Sequence, residues 1–249
     1  MLQQTQVARV VPRYLAFLER FPTVADGADA ATGDVLRCWS GLGYNNRAVR
    51  LQGAARRVVR DHDGRFPRAL VALQRLPGVG PYTARALLAF AFELDAAVVD
   101  TNIARTLARW HGRTLGRAEV QREADRALPP GEAWAWNQAL MELGATVCTA
   151  RAPACDRCPL ASTCRWRSAG GADPAIGSAG VAGGQSRFDG SDRQGRGRLV
   201  RALTGGSVRA DELARVMGWV DDPGRASTVA ARCVADGLVR LDGDRYRLA

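Results

Sequence analysis

The chain has 249 residues and a formal net charge of +10, from 35 Lys+Arg against 25 Asp+Glu, with a hydrophobic content of 47% that suffices for one large or two smaller cores. All 35 of the Lys+Arg residues are arginine, so any mechanism needing a lysine amine is excluded, whether a lysine Schiff base or a phosphate-loop lysine. A sequence pI near 10.3 points to a polyanionic partner, either nucleic acid or an anionic membrane.

Residues 1–147 read as helical. Val7, Val10, Val11, Tyr14, Leu15 and Leu18 recur at three- and four-residue steps, the period of one amphipathic helix. Further helices are predicted around Gly33–Leu42, Asn46–His62, Arg68–Gln74, Pro81–Phe92, Thr101–His111, Ala118–Ala127 and Ala133–Gly144. Strand alternation is nearly absent, and only the apolar run Ala96–Val99, ending at Asp100, reads as extended. Residues 168–190 are rich in Gly, Ala and Ser and read as a flexible linker. From 191 to 249 order returns. Leu199–Leu203, Ala210–Met217 and Ser227–Leu238 predict three short helices, and the alternation around Asp242-Gly243 predicts a β-hairpin. Three helices and a terminal hairpin make a small winged-helix-like module.

No run of about 18 apolar residues occurs, so no transmembrane helix is expected. The N-terminus does not have the pattern of a signal peptide, so a reducing, cytoplasmic location is expected. In that compartment a cysteine cluster indicates metal rather than disulfides. Cys148, Cys155, Cys158 and Cys164, spaced 6-2-5, form such a cluster within residues 148–167. Four thiolates so close together can wrap one iron–sulfur cubane. Tetrahedral zinc is the competing reading, but zinc ribbons usually use two Cys-x-x-Cys pairs and only one is present. Arg151, Arg157, Arg165 and Arg167 flank or interrupt the cluster and suit either phosphate contact or a solvated surface.

Leu76-Pro77-Gly78-Val79-Gly80 lies between two predicted helices, with Pro81 suited to the first turn of the second. Leu76, Gly78, Val79 and Gly80 make a hairpin that lets a backbone approach closely, and the unpaired amides of the next helix suit a phosphate.

This hairpin, Asp100 about twenty residues later and the cysteine spacing together resemble the helix-hairpin-helix DNA glycosylase superfamily. Within it, Met1–Val7, Gly41-Leu-Gly-Tyr44 and Asn137–Ala145 resemble the MutY family of adenine DNA glycosylases. The resemblance covers about residues 1–166. It implies a mostly α, helix-hairpin-helix glycosylase fold with an iron–sulfur loop holding a 4Fe-4S cluster. It also implies a monomeric, nucleoid-associated repair enzyme that acts on duplex DNA containing A:8-oxoguanine or A:G mismatches.

Residue by residue, Asp100 matches the family's catalytic aspartate, which stabilises an oxocarbenium-like sugar, and Asn102 a neighbouring active-site asparagine. Tyr82 occupies the position where the related bifunctional endonuclease carries its Schiff-base lysine, which implies a monofunctional enzyme. Gln3, Gln4 and Tyr44 match the wedge that fills the stack when a base is flipped, and Gln138 matches a residue near the adenine pocket. Asn45 replaces a second tyrosine common in the wedge motif. The family's catalytic glutamate lies two residues before the Met-Leu-Gln-Gln segment at which this sequence starts, and Glu142 on another helix does not replace it. A translation start placed too far downstream is the expected explanation, and binding with little excision is expected of the 249-residue polypeptide. The tail is too short for the nucleotide-hydrolase-like domain with which many relatives read 8-oxoguanine. Alternatives are a thymine glycosylase acting on T:G mismatches, a non-catalytic lesion-binding protein and, more remotely, a zinc-dependent regulator.

Overall fold

The computed structural model describes residues 1–2, 5–181 and 187–249, so Gln3 and Gln4 lie outside the described residues. In chain order the helices are α1 (Val7–Arg20), α2 (Val24–Asp29), α3 (Thr32–Trp39), α4 (Asn46–His62), α5 (Leu70–Gln74), α6 (Pro81–Ala86), α7 (Thr101–His111), α8 (Arg117–Ala127), α9 (Ala133–Thr146) and α10 (Arg165–Ala169). They continue with α11 (Asp192–Gly205), α12 (Leu213–Met217) and α13 (Pro223–Ala235). Three strands, β1 (Val208–Arg209), β2 (Val239–Asp242) and β3 (Arg245–Leu248), form an antiparallel sheet in the order β1-β3-β2. A pair of strands after three helices, with a short first strand on one edge, is a winged-helix arrangement.

The described residues divide into two compact units. The first comprises residues 1–67, 76–78 and 187–249. Its core joins Val35, Leu36 and Trp39 of α3 to Leu199 and Leu203 of α11, Met217 of α12, Val229 and Cys233 of α13, and Leu248 of β3. The tail therefore shares one hydrophobic interior with the N-terminal helices. Helix α2, missed in the sequence, is only six residues long and starts from a capping box in which Thr23 and Asp26 satisfy each other's amides. On α1 the apolar period holds, but only Val10 is buried, and Val7, Val11, Tyr14, Leu15 and Leu18 remain 42–64% exposed.

The second unit comprises residues 68–75 and 79–181. Its core packs Ile103, Leu107 and Ala108 of α7 against Val120 and Ala124 of α8 and Leu140 of α9, with Leu115 and Ala175 from the connecting segments. After α6 the chain continues through a π-helical turn, Leu87–Ala91, so the predicted single helix over 81–92 changes its winding midway.

One reading is sharpened and one is corrected here. Residues 96–98 of the run Ala96–Val99 are buried, and the run pairs with no strand among the described residues, because side chains take the place of a ladder. Asn137 Oδ1 accepts from the Val98 amide at 2.8 Å, Asn137 Nδ2 donates to the Ala96 carbonyl at 2.9 Å, and Gln121 and Arg85 donate to the Ala97 carbonyl. The flexible linker expected over 168–190 does not hold for residues 173–181. Ala175 and Ser178 are buried, Leu115 and Ala179 exchange a backbone hydrogen bond, and the Leu115 amide donates to Ser178 Oγ at 3.1 Å. Small residues with little to bury individually are held here by specific hydrogen bonds, which composition does not reveal.

Candidate active site and iron–sulfur loop

The buried run 96–98 delivers the chain to Asp100, the N-cap of α7. The Ile103 amide donates to Asp100 Oδ1 at 2.7 Å, and Asn102 Nδ2 donates to Oδ2 at 3.1 Å. The carboxylate thus accepts on both oxygens, at the end of a helix whose dipole favours negative charge. Asn102 is itself held, since Arg105 Nη2 donates to its Oδ1 at 2.8 Å. Gly144 of α9 packs directly against Asn102, and a Cβ there would lie 2.6 Å from the Asn102 Cβ. Any larger residue at 144 would displace the asparagine that orients the carboxylate.

Tyr82, on the second turn-position of α6, is 40% exposed. Burial and then the negative charge of Asp100 raise its phenol pKa, so the hydroxyl stays protonated at neutral pH. Ahead of it, Gly78 takes φ +77°, and a Cβ there would approach the Arg50 Cβ to 2.8 Å. Leu76 is buried, whereas Gly80 is exposed and caps α6. Gln138 lies on an exposed face of α9, while its neighbour Asn137 is buried and braces residues 96–98.

Tyr44 belongs to the first unit. The loop before it bends through Gly41 (φ +92°) and Gly43 (φ +73°), and Tyr44 itself sits at φ +47°, unusual for a non-glycine residue. Arg47 holds this loop from below, donating to the carbonyls of Leu42 and Gly43, while its guanidinium lies over the rings of Trp39 and Tyr44. Tyr44 remains 45% exposed.

Cys148, Cys155, Cys158 and Cys164 line a single small cavity with Arg109 and Trp166. Among the described residues, no three His, Cys, Asp or Glu side chains converge closely enough for one metal ion. A cubane spreads its four irons to separate corners, so it needs a wider ring of thiolates than a tetrahedral zinc. The donor set, four cysteines lining one cavity, fits a cluster.

Two arginines unremarked in the sequence organise this loop. Arg105, 6% exposed, donates from Nε to the Cys148 carbonyl at 2.8 Å and from Nη2 to the Gly144 carbonyl at 2.5 Å as well as to Asn102. It thereby links the Asp100–Asn102 pair to the backbone of a cluster cysteine. Arg109, 2% exposed, donates to Cys148 Sγ at 3.3 Å, to the Thr149 carbonyl at 2.7 Å and to the Asp173 carboxylate at 2.6 Å. The guanidinium also lies 4.9 Å from the Trp166 ring centre. The hydrogen bond from Arg109 holds the Asp173 pKa below the ordinary carboxylate value. The only sequence signal for either was a basic residue on the face of a helix that proved buried. Of the four arginines flanking the cysteines, Arg167 pairs with Asp156 at 2.9 Å and all four are exposed.

A buried cation that loses its counterion costs about 3–5 kcal/mol. Asp173→Asn should therefore lower the unfolding free energy by about 3 kcal/mol, the lower end, because Arg109 keeps its carbonyl partners. Denaturant melts and the bleaching rate of the iron–sulfur absorption will read this, and a variant as stable as the wild type would show the pair to be dispensable.

The model for HhH-GPD superfamily base excision DNA repair proteins matches residues 1–130, and that for the iron–sulfur binding domain of endonuclease III matches residues 148–164. The chain belongs to the HhH-GPD superfamily of base excision DNA repair proteins, and it carries the iron–sulfur binding domain. Adenine DNA glycosylase of Mycolicibacterium smegmatis is 42% identical over 255 residues, covering 100% of this chain and 85% of that protein. Its counterpart in Mycobacterium tuberculosis (strain H37Rv) is 43% identical over 96% of this chain and 79% of that protein, and the human one is 44% identical over 67% of this chain and 32% of that protein. Among solved structures, a thermostable thymine-DNA glycosylase matches with a TM-score of 0.63 at 29% identity, covering 68% of this chain and 80% of that one. An endonuclease III trapped as a covalent intermediate with DNA matches with a TM-score of 0.60 at 26% identity, again over 68% of this chain and 80% of that one. Within the superfamily the chain thus falls in the MutY family of adenine DNA glycosylases: it is a base-excision DNA glycosylase that binds DNA.

Proposed function

We propose that the protein removes adenine mispaired with 8-oxoguanine or guanine, acting as a monomer on duplex DNA and hydrolysing the N-glycosidic bond without a covalent intermediate. The observation that carries this reading is the pairing of Asp100, a carboxylate held by two hydrogen bonds at a helix N-terminus, with a tyrosine rather than a lysine at position 82. As the bond from C1′ to the purine breaks, the adenine departs with the bonding electrons and takes up a proton. Positive charge grows on the sugar, and the Asp100 carboxylate, fixed before the reaction, stabilises it. Water then adds its oxygen to C1′ and releases a proton, leaving an abasic site. Asn102 and Arg105 orient the carboxylate, Tyr82 borders it, and Gln138 is assigned to the adenine side of the pocket. Gln3, Gln4 and Tyr44 fill the gap left by the flipped nucleotide, while Gly78, Val79 and Gly80 present backbone amides to phosphates beside Leu76. The bound 4Fe-4S cluster, held by Cys148, Cys155, Cys158 and Cys164, supplies structural organisation of its loop.

Likeness to a thymine-DNA glycosylase keeps a second substrate in view. Single-turnover assays on duplexes carrying A:8-oxoguanine, A:G and T:G decide between them. Slow release of adenine from the first two, no release of thymine from the third, and strand cleavage only after alkali is the expected result. Thymine release from T:G without adenine release would overturn the reading.

A further inference from the structure

The C-terminal segment is shared in full with the mycobacterial relative, whose alignment spans this whole chain, and the mechanism above gives it no task. Within the first unit it touches the loop that carries Tyr44. From α11, Arg196 Nη2 donates to Asn46 Oδ1 at 2.8 Å, the side chain directly following that loop, and to Asp236 Oδ2 at 2.5 Å just beyond α13. One turn earlier, Arg193 Nη1 reaches the Tyr44 hydroxyl at 3.4 Å. The same guanidinium lies 6.0 Å from the centre of the Phe188 ring, and Phe188 is 56% exposed.

A guanidinium held between an exposed tyrosine hydroxyl and an exposed phenylalanine ring offers charge and aromatic surface of the kind that receives bases and backbone of nucleic acid. Tyr44 also holds a left-handed backbone conformation, which persists only where surrounding contacts enforce it. The tail supplies two contacts around it, Arg193 at the Tyr44 hydroxyl and Arg196 at the Asn46 side chain. We infer that the C-terminal module is a working part of the DNA interface: Arg193 takes a backbone phosphate of the strand that Tyr44 enters, and the Arg196–Asn46–Asp236 cluster positions the Tyr44 loop. This rests on the reading of Tyr44 as a wedge in duplex DNA.

The test uses the full chain, with fluorescence anisotropy on an A:8-oxoguanine duplex and on a fully matched duplex over a range of salt. Arg193→Gln should weaken both complexes about tenfold at physiological salt and reduce the slope of log K against log[salt] by about 0.9, the loss of one phosphate contact. Arg196→Gln should leave that slope unchanged and instead diminish the fluorescence rise of 2-aminopurine placed at the adenine position, a signal of base flipping. Thermal melts identify an Arg196→Gln chain that has lost its fold, in which case Arg193→Gln alone decides. Unaltered affinity and salt slope in Arg193→Gln would overturn the inference. A wild-type chain that ignores the A:8-oxoguanine lesion would instead sink the functional reading, and the matched duplex would still report on the Arg193 contact.

Discussion

Asp100→Asn should cut single-turnover adenine excision by at least about a hundredfold, the size of a lost preorganised electrostatic contact, while leaving the melting temperature nearly unchanged. The two halves of this expectation come from two roles of one side chain. As the N-cap of α7, Asp100 accepts from the Ile103 amide, and asparagine caps helices about as well as aspartate. In the proposed reaction it is the charge that faces the sugar, a role a neutral amide does not fill. Loss of capping alone would lower stability and leave chemistry largely intact, and loss of charge alone does the opposite. Excision within about tenfold of wild type would mean that charge at this position does not carry the reaction.

The second large effect is expected at Arg105, which touches no substrate. Arg105→Gln should destabilise the second unit by about 3 kcal/mol or more, since the carbonyls of Cys148 and Gly144 and the Asn102 amide oxygen all lose a charged donor. Excision should fall in parallel, because Asn102 is then free to release the Asp100 carboxylate. Iron–sulfur absorption should bleach faster, because the backbone of the first cluster cysteine loses its tie to α7. Arg105→Lys should fail almost as badly: a single ammonium cannot span acceptors that the guanidinium reaches through Nε and Nη2. Calorimetry and visible absorption on the same samples provide the check. Retention of the cluster together with full activity would show that Asp100 and the iron–sulfur loop are independent.

Much of this could be read along the chain. Helix α7 follows from its period, its start from Asp100, and the hairpin from Gly78, Gly80 and Pro81. The hairpin of β2 and β3 follows from alternation broken at Asp242-Gly243. The cysteine loop was legible from spacing, since four cysteines so close along the chain can reach one cubane without help from distant segments. Each of these signals is local: capping, turn chemistry and periodicity act over a few residues and leave their mark in the order of residue types.

Packing settled the rest. Asn137 belongs to a segment singled out by resemblance, but its task of satisfying the backbone of residues 96–98 depends on α9 lying against that run, about forty positions away. Arg105 and Arg109 look like any other of the 35 arginines until α7 is enclosed, when the same residue type changes from a solvated charge to a buried donor. Residues 173–181 look like linker because glycine and alanine bury little, yet Asp173 gains a buried partner and Ser178 a backbone one. The tail's helices and hairpin were readable, while their common core with α1–α4 was not. Composition and spacing along the chain encode which elements form and what chemistry they carry. Which charge is buried, and which side chain braces which backbone, depends on contacts made across tens to more than a hundred residues, and those exist only once the elements have packed.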